Sequence, residues 1–372
     1  MSTSNGPEMR AARDAVGAYL HAAAPSNSPA SIAHHLGLGA VGSLESKLRV
    51  HFRAAHALSF SSATSALFAL GLALKISGKE FICPPLTWGG SISTWLFLGA
   101  RPVFADTDAN LTLRPDAVRR AITRDTAAIL AVDFHGVPHN QDAIGKLAAE
   151  HGLFYVADSA AGLGAKRAGV PSGSLADAAV LSFGAGKTIP AGEGGAAVTN
   201  NTALYRTLLS LSQHPLRQRV ELGLDDSTEF GWNARMAPLS AVWADAVFEH
   251  RLAALARRQR HALALLDAVN ASGLTQPTHF SFDGILPTFS RVTAAWKGRP
   301  RPKLLLQHLR HHGFLVTLTT LNTRLLPDHH TFQTQFGSLA RVHGVLKYAR
   351  VQLSRRFMIH EQTLDLVGGS SK

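Results

Sequence analysis

The chain has 372 residues, of which 46% are hydrophobic and 17% are charged, so it is long and apolar enough for a globular protein with a sizeable core. A single cysteine excludes an internal disulfide and a multi-cysteine metal site. No stretch approaches the roughly 18 uninterrupted apolar residues of a membrane span, and the first residues lack a signal-peptide core. We therefore expect a cytoplasmic protein without a membrane partner.

The net charge of +12 is carried by the last third of the chain. Residues 251–372 contain 17 Lys and Arg against 5 Asp and Glu, whereas the first 250 residues contain 20 of each. Such an excess suits a solvated basic face, an anion site for a phosphorylated substrate, or nucleic acid. Neither aromatic–basic interleaving nor zinc-finger spacing is present, so nucleic acid is the weakest of these three interpretations.

The hydrophobic pattern predicts short strands that alternate with helices. In chain order, helices are predicted over 8–24, 43–56, 64–75, 115–122, 144–151 and 239–269, and strands over 57–60, 81–85, 101–108, 126–134, 153–158 and 177–183. This alternation predicts an α/β fold with a largely parallel sheet. We expect a large domain over residues 1–250 and a small basic domain over residues 251–372.

The ends of the predicted strands are the candidate positions for a site, because ligands of open α/β sheets lie beyond the carboxyl ends of the strands. Polar or aromatic residues occupy these ends at Ser61–Thr64, Pro84–Trp88, Asp133–His135, Asp158 and Ser182–Lys187. Together they suggest one site.

Two of these positions suit a flat, phosphorylated ligand. Ser61–Thr64 forms a strand-to-helix turn whose free N–H groups could bind a phosphate, although an ordinary helix cap is also consistent with the sequence. Trp88 follows a proline turn and could stack on an aromatic ring, or it could belong to the core or an interface.

The other two positions carry charge. Asp158 ends a buried strand, where a carboxylate is costly unless a protonated ring nitrogen, a helix N-terminus or a salt-bridge partner compensates it. Lys187 lies between an apolar run and the "GEGG" cluster, where a partly desolvated amine could form a Schiff base; a solvated surface lysine is the alternative. In combination, the four features are those that pyridoxal phosphate requires.

Five segments resemble the DegT/DnrJ/StrS-type aminotransferases, fold-type-I pyridoxal-phosphate enzymes that mostly aminate nucleotide-linked keto sugars. They are "SSATSAL", "PPLTW", the stretch from Gly99 to Ile144, "ADSAAGLGAKRAGVPSGSLADAAVLSFGAGKTIPAGEGG" and "GWNARMAPLSAVWA". The resemblance covers residues 39–251. It implies a large, mostly parallel seven-stranded sheet domain and a smaller C-terminal α+β domain.

The resemblance also implies how the cofactor would be held. Lys187 would bind pyridoxal 5'-phosphate as an internal aldimine and then move a proton between the cofactor and the substrate carbon. Asp158 would pair with the pyridine nitrogen, and Trp88 would stack on the ring.

The phosphate of the cofactor has its own implied partners. Ser182, Thr64 and the backbone of Ala63 would hold it within one chain. Asn233 would reach the phosphate of the neighbouring subunit, which implies a homodimer with shared active sites.

Three positions depart from the pattern of the family. Ala161 stands where a Gln or His usually reaches the 3'-oxygen of the cofactor, Ala157 replaces a Glu, and Ala63 replaces a Gly. A related dehydratase branch has histidine in place of the lysine, and Lys187 argues against that branch.

The leading hypothesis is an aminotransferase that uses an amino donor such as L-glutamate and a carbonyl acceptor, a nucleotide-linked keto sugar. The alternatives are a diverged enzyme of the same fold acting on a non-sugar carbonyl and a cofactor-binding regulator without turnover.

We expect a structural role for His135. We expect no metal site at the histidine pairs, because they lack carboxylate or cysteine neighbours.

Overall fold

The computed structural model describes residues 6–23, 29–224, 231–277, 284–321 and 323–361. The helices are α1 (Pro7–Ala23), α2 (Pro29–His35), α3 (Ala40–Phe52), α4 (Ala63–Ala73), α5 (Ser93–Phe97), α6 (Pro115–Ala121), α7 (Gln141–His151), α8 (Thr202–Ser212), α9 (Pro215–Leu222), α10 (Pro238–Ala271), α11 (Pro302–His311), α12 (His330–Phe336) and α13 (Lys347–Arg355). The strands are β1 (His56–Phe60), β2 (Glu80–Cys83), β3 (Arg101–Phe104), β4 (Thr126–Val132), β5 (Phe154–Asp158), β6 (Lys166–Arg167), β7 (Val170–Pro171), β8 (Ala178–Ser182), β9 (Gly195–Thr199), β10 (Ile285–Leu286), β11 (Val292–Ala295), β12 (Val316–Thr320), β13 (Arg341–Val342) and β14 (Arg356–Glu361).

The large sheet has the strand order β1-β9-β8-β5-β4-β2-β3-β13. From β8 to β13 every neighbouring pair is parallel, and β9 runs antiparallel to both of its neighbours. Seven strands come from the first 199 residues, and the two-residue β13 joins the edge from the C-terminal region. The predicted α/β class with a mostly parallel sheet is confirmed.

Helices cover both faces of this sheet, which explains why its strands are almost continuously apolar. On one face α3, α7 and the first half of α10 bury side chains such as Leu44, Ile144 and Phe248. On the other face α4, α5 and α8 bury Leu67, Trp95 and Leu208. The carboxyl ends of the parallel strands stay accessible at one edge.

The long helix α10 connects the large sheet to the C-terminal region. Its second half packs Leu265 and Val269 against the sheet β11-β14-β12 and helix α11. The division predicted at residue 250 falls inside this continuous helix and stays a prediction.

Several elements differ from the predictions in detail. Helices α2, α8 and α9 and the strand β9 were not among the predicted elements; β9 has the sequence Gly-Ala-Ala-Val-Thr, which carries little strand signal. Strand β2 ends at Cys83, because the two prolines that follow it cannot donate to a ladder. None of the described helices is both long enough and apolar enough to cross a membrane.

Candidate active site

The turn after β1, residues 61–64, is the predicted phosphate turn and leads into the N-terminus of helix α4. Helix α4 begins at Ala63, and the hydroxyl of Ser62 caps it by accepting a hydrogen bond from the Ser65 N–H at 3.0 Å. The first N–H groups of a helix have no intrahelical partners, and they carry the positive end of its dipole. The turn can therefore bind a phosphate through the backbone of Ala63 and Thr64.

Strand β9 lies between this turn and Ser182, the third residue predicted to bind the phosphate. Gly195 lies opposite both Phe60 and Ser182 in the sheet. A Cβ added at Gly195 would overlap the backbone nitrogen of Ala63, so only glycine lets the strand approach this closely. The predicted residues Ala63, Thr64 and Ser182 are thus gathered around one point.

Lys187 lies on a tightly bonded turn that follows β8. The base of the turn is closed by hydrogen bonds from the Phe183 N–H to the Gly194 oxygen (2.9 Å) and from the Ala191 N–H to the Phe183 oxygen (2.7 Å). Next to the lysine, buried Thr188 donates its hydroxyl to the Leu163 carbonyl at 2.9 Å. The backbone is fixed, whereas the Lys187 side chain is half-buried and can reach a ligand.

Asp158 lies at the end of β5 with 5% of its surface exposed. Its Oδ1 accepts a hydrogen bond from the Ala160 N–H at 3.0 Å, and the Ser91 hydroxyl donates to the carboxylate. Burial raises the pKa of Asp158, while Ser91, the Ala160 N–H and the Lys187 ammonium oppose the rise and Asp133 adds to it. Asp158 and Lys187 are therefore close enough to interact, and the carboxylate suits a cationic partner.

Trp88 is 83% exposed and lies beside the phosphate turn. A Cβ added at Gly90 would lie 3.0 Å from both the indole Nε1 of Trp88 and the Oγ1 of Thr64, so these two groups lie close to each other. An indole that leaves most of its surface open at a strand end is available for stacking.

Asn233 is exposed and directly precedes Ala234, which contacts the same turn. The Ala234 carbonyl accepts a hydrogen bond from the Ser61 N–H at 2.7 Å, which fixes this segment against the phosphate turn of its own chain. The Asn233 side chain accepts only a 3.4 Å bond from the Arg235 N–H. Its implied role toward a second subunit stays a prediction.

His135 lies at the end of β4 in a left-handed backbone conformation with φ of 55°. Its ring stacks on Phe134 with a centroid distance of 4.0 Å. Burial, followed by the nearby guanidinium groups of Arg356 and Arg291, lowers its pKa to about 4. The histidine is therefore neutral at physiological pH and lies among cations.

Several residues that shape the site carry no signal in the sequence. Ser91 reaches Asp158, and the Thr87 hydroxyl in turn lies 2.6 Å from Ser91. Thr288, far along the chain, donates its hydroxyl to the Ala161 carbonyl at 2.8 Å and its N–H to Gly136 at 2.9 Å. Ser and Thr are common at turns, so only their placement in space identifies them.

Among the described residues no three His, Cys, Asp or Glu side chains are grouped closely enough to hold a metal ion. The large, mostly parallel sheet and the smaller C-terminal sheets match the fold of fold-type-I pyridoxal-phosphate aminotransferases. A DegT/DnrJ/EryC1/StrS aminotransferase from Brucella abortus matches with a TM-score of 0.78 at 20% identity, covering 98% of this chain and 96% of that chain.

Residues 36–336 match the DegT/DnrJ/EryC1/StrS aminotransferase family, and the chain belongs to that family. The match extends well beyond the motifs at 39–251 and includes most of the C-terminal region. The family is dependent on pyridoxal phosphate, and the chain is an enzyme of an aminotransferase family.

Two further solved structures show how widely this fold is used. DesI, solved in the presence of its TDP-sugar product, has a TM-score of 0.73 at 25% identity and covers 95% of this chain and 87% of that chain. The Escherichia coli GDP-4-keto-6-deoxy-D-mannose-3-dehydratase with bound hydrated PLP has a TM-score of 0.76 at 18% identity, covering 96% and 95%. The fold thus serves both transamination and dehydration.

Proposed function

We propose that this chain is a pyridoxal-phosphate-dependent aminotransferase that moves an amino group from a donor such as L-glutamate to the carbonyl of a nucleotide-linked keto sugar. The observation that carries the proposal is that Lys187 lies close enough to the buried Asp158 to lower its pKa, at the ends of the neighbouring strands β8 and β5. A lysine at this position favours transamination over the dehydratase chemistry for which the sequence resemblance implies a histidine.

The residues present fit the cofactor. Gly195 packs directly against the backbone of Ser62 and Ala63, where a Cβ would overlap it, and so holds β9 and the neighbouring Ser182 close to the turn. Asp158 is a buried carboxylate that no described cation contacts directly, so a protonated ring nitrogen would compensate its charge. Trp88 offers an exposed ring above the same turn.

Each residue has a definite task in the reaction. When bound, pyridoxal phosphate supplies an electron sink and carries the amino group between substrates. Asp158 holds a proton on the ring nitrogen, and Trp88 orients the ring. Lys187 Nζ binds the cofactor, and as a free amine it moves a proton at the substrate carbon.

The acceptor side is supplied by the basic C-terminal region. Arg356 is half-buried, and it donates from Nη1 to the Thr293 hydroxyl at 2.9 Å and from Nη2 to the Ala109 carbonyl. Its Nε has no acceptor among the residues described. With the exposed Arg291 and neutral His135, it forms a cationic surface at the strand ends that suits the diphosphate of a nucleotide sugar.

The first experiment is the absorption spectrum of the purified protein with pyridoxal phosphate, before and after L-glutamate. We expect the wild type to show the visible band of lysine-bound cofactor and to lose it on adding glutamate. Lys187→Ala should not form the band, whereas Lys166→Ala, which removes an exposed lysine, should behave as the wild type. A wild type without the band would overturn the proposal and favour a regulator without turnover.

The acceptor is tested by steady-state kinetics with a nucleotide-linked keto sugar. Arg291→Ala should raise KM by about tenfold with little change in kcat, since one charge-assisted contact is worth about 1.5–3 kcal/mol. Arg299→Ala removes an exposed arginine from the "KGRPRPK" stretch and serves as the control. If KM is insensitive to Arg291→Ala and to salt, the acceptor is a carbonyl compound without a diphosphate.

A homodimer with shared sites is the third part of the proposal, and Asn233 provides its test. Lys187→Ala and Asn233→Ala protomers should each be impaired when alone. After mixing and subunit exchange, about a quarter of the wild-type activity should return, because half of the dimers then hold one intact site out of two. Activity that does not return on mixing would place Asn233 in the site of its own chain.

A further inference from the structure

A fully buried network of three side chains lies behind Asp158. Asp133, His139 and Tyr155 are each at most 1% exposed. The Nδ1 of His139 lies 2.7 Å from Asp133 Oδ1, which also accepts the His139 backbone N–H at 3.2 Å. The other ring nitrogen, Nε2, is hydrogen-bonded to the Tyr155 hydroxyl.

The partners determine where the protons lie in this network. A carboxylate can only accept, so toward an ionised Asp133 the Nδ1 of His139 carries the hydrogen, and Nε2 faces the Tyr155 hydroxyl. Burial, then the charges of Asp133, Asp142 and Asp177, raise the pKa of Tyr155 well above its usual value, so the hydroxyl stays protonated. We take Asp133 as the negatively charged member of the network, because the Tyr155 hydroxyl stays protonated.

Asp133 is held directly against the strand end that carries Asp158. Its N–H donates to the Asp158 carbonyl at 3.0 Å, and the preceding residue, Val132, is in register with Asp158. Tyr155 lies three residues before Asp158 on the same strand. The network thus links the end of β4 to β5 at two points.

The second oxygen of Asp133 is directed at the turn that follows Asp158. Oδ2 is buried, and no donor among the described residues reaches it. It occupies the space beside Gly162, where an added Cβ would overlap it. Gly162 itself closes the turn through its N–H, which donates to the Ser159 carbonyl at 2.7 Å.

We propose that Asp133, oriented by His139 and Tyr155, is a positioning residue for Asp158 that places a second negative charge behind it and so strengthens binding of the protonated cofactor ring. The inference rests on the proposed function, since it concerns the cation that Asp158 would bind.

Whether the charge of Asp133 is favourable depends on whether Asp158 is alone or paired with a cation. Toward an isolated Asp158 carboxylate, the charge of Asp133 is repulsive, and Ser91 and Lys187 counter it. Toward a cation paired with Asp158, both carboxylates are attractive, and in a buried site that attraction is only weakly screened. Asp133 therefore favours the charged ring over a neutral ring of the same shape.

The experiment compares the affinity of the protein for pyridoxal phosphate with its affinity for the analogue that has a carbon in place of the ring nitrogen. In the wild type the natural cofactor should bind more tightly. Asp133→Asn should reduce this preference by at least tenfold, because at an effective dielectric constant of about 20 one unit charge changes the affinity for a cation about tenfold even at roughly 12 Å. Affinity for the carbon analogue should change much less.

Two further variants separate charge from structure. Asp177→Asn removes a carboxylate that accepts the Tyr155 N–H at 2.8 Å, at the far end of the strand, and should leave the preference unchanged. Tyr155→Phe keeps the charge of Asp133 and should lower the preference only slightly; it also provides a test if Asp133→Asn does not fold. In that case, a Tyr155→Phe preference equal to that of the wild type would overturn the inference.

The outcomes distinguish the two proposals. If Asp133→Asn weakens both ligands equally, Asp133 has a structural role only, and the proposed function stands. If the wild type binds neither ligand, the proposed function fails, and this inference fails with it.

Discussion

Glu45 and Asp133 are both buried carboxylates, yet their surroundings differ. The oxygens of Glu45 accept hydrogen bonds from the Ser59 N–H (2.8 Å), the Ser59 hydroxyl (2.9 Å) and both Nη atoms of Arg217 (3.1 and 2.7 Å). Arg217 also donates from Nε to Glu221 at 2.6 Å. Asp133, by contrast, has one oxygen bonded to His139 and one without a donor among the described residues.

The difference indicates two uses of a buried acid. Every acceptor of Glu45 is satisfied by the fold, so its charge is neutralised within the structure and it fixes β1 two residues before the phosphate turn. Asp133, beside Asp158, has a buried oxygen without a donor among the described residues. Burying such a group costs free energy of folding. Glu45 therefore serves stability, whereas the surroundings of Asp133 support the positioning role that we propose for it.

The largest effect is expected when the Glu45 pair is broken. Arg217→Met would leave Glu45 buried without its cation, so the free energy of unfolding should fall by about 3–5 kcal/mol, measured by urea denaturation of the apoprotein. Arg219→Met, which removes an exposed arginine two residues away, should cost less than about 0.5 kcal/mol. Equal losses in the two variants would contradict a structural role for the pair.

The next effect concerns the space taken by Asp133. Gly162→Ala should lower the free energy of unfolding by about 1–3 kcal/mol, because the new Cβ would overlap Asp133 Oδ2. Gly298→Ala is the control, since nothing lies within 4 Å of its added Cβ. In an Asp133→Ala background, Gly162→Ala should lower the free energy of unfolding by less than it does in the wild type. Additive losses would mean that the two residues do not compete for space.

A smaller effect is expected at Tyr155. Tyr155→Phe removes the hydroxyl that donates to His139, so the free energy of unfolding should fall by about 1 kcal/mol. Tyr348→Phe, at a partly exposed tyrosine, should be close to neutral. A loss as large as that of Arg217→Met would show that the His139 network, like the Glu45 pair, mainly serves stability.

The smallest effect is expected to be a gain. Because burial raises the pKa of Asp158 above its unfolded value, the apoprotein loses stability as pH rises through the ordinary range of an aspartate, about 3.9. Asp158→Asn should therefore raise the melting temperature of the apoprotein at pH 7, and the gain should vanish below that range. Asp125→Asn, at an exposed carboxylate, should show no such gain.

The same variant tests the link to function. With pyridoxal phosphate present, Asp158→Asn should lose the advantage, because the wild type then gains the energy of its ion pair. If Asp158→Asn were stabilising to the same extent with and without the cofactor, Asp158 would not contact the ring.

Local sequence patterns predicted the fold class correctly, and they predicted the strand ends at which we place the site. Alternating apolar strands and helices predicted the parallel sheet, and the carboxyl ends of parallel strands must meet at one edge, so Thr64, Asp158 and Ser182 were found as neighbours. Local patterns suffice here because strand order and handedness leave few arrangements.

The polar residues that contact the strand ends can be identified only from the tertiary structure. Ser91, His139 and Thr288 belong to residue types common in turns and caps, and nothing in their spacing marks them; Asp133 was predicted only as a residue at a strand end. Thr288 is identified by its hydrogen bond to Ala161, which lies 127 positions away in the sequence. Asp133 is identified by a buried carboxylate oxygen that has no donor among the described residues. Such properties depend on three-dimensional packing and burial, which a linear pattern of hydrophobicity does not encode.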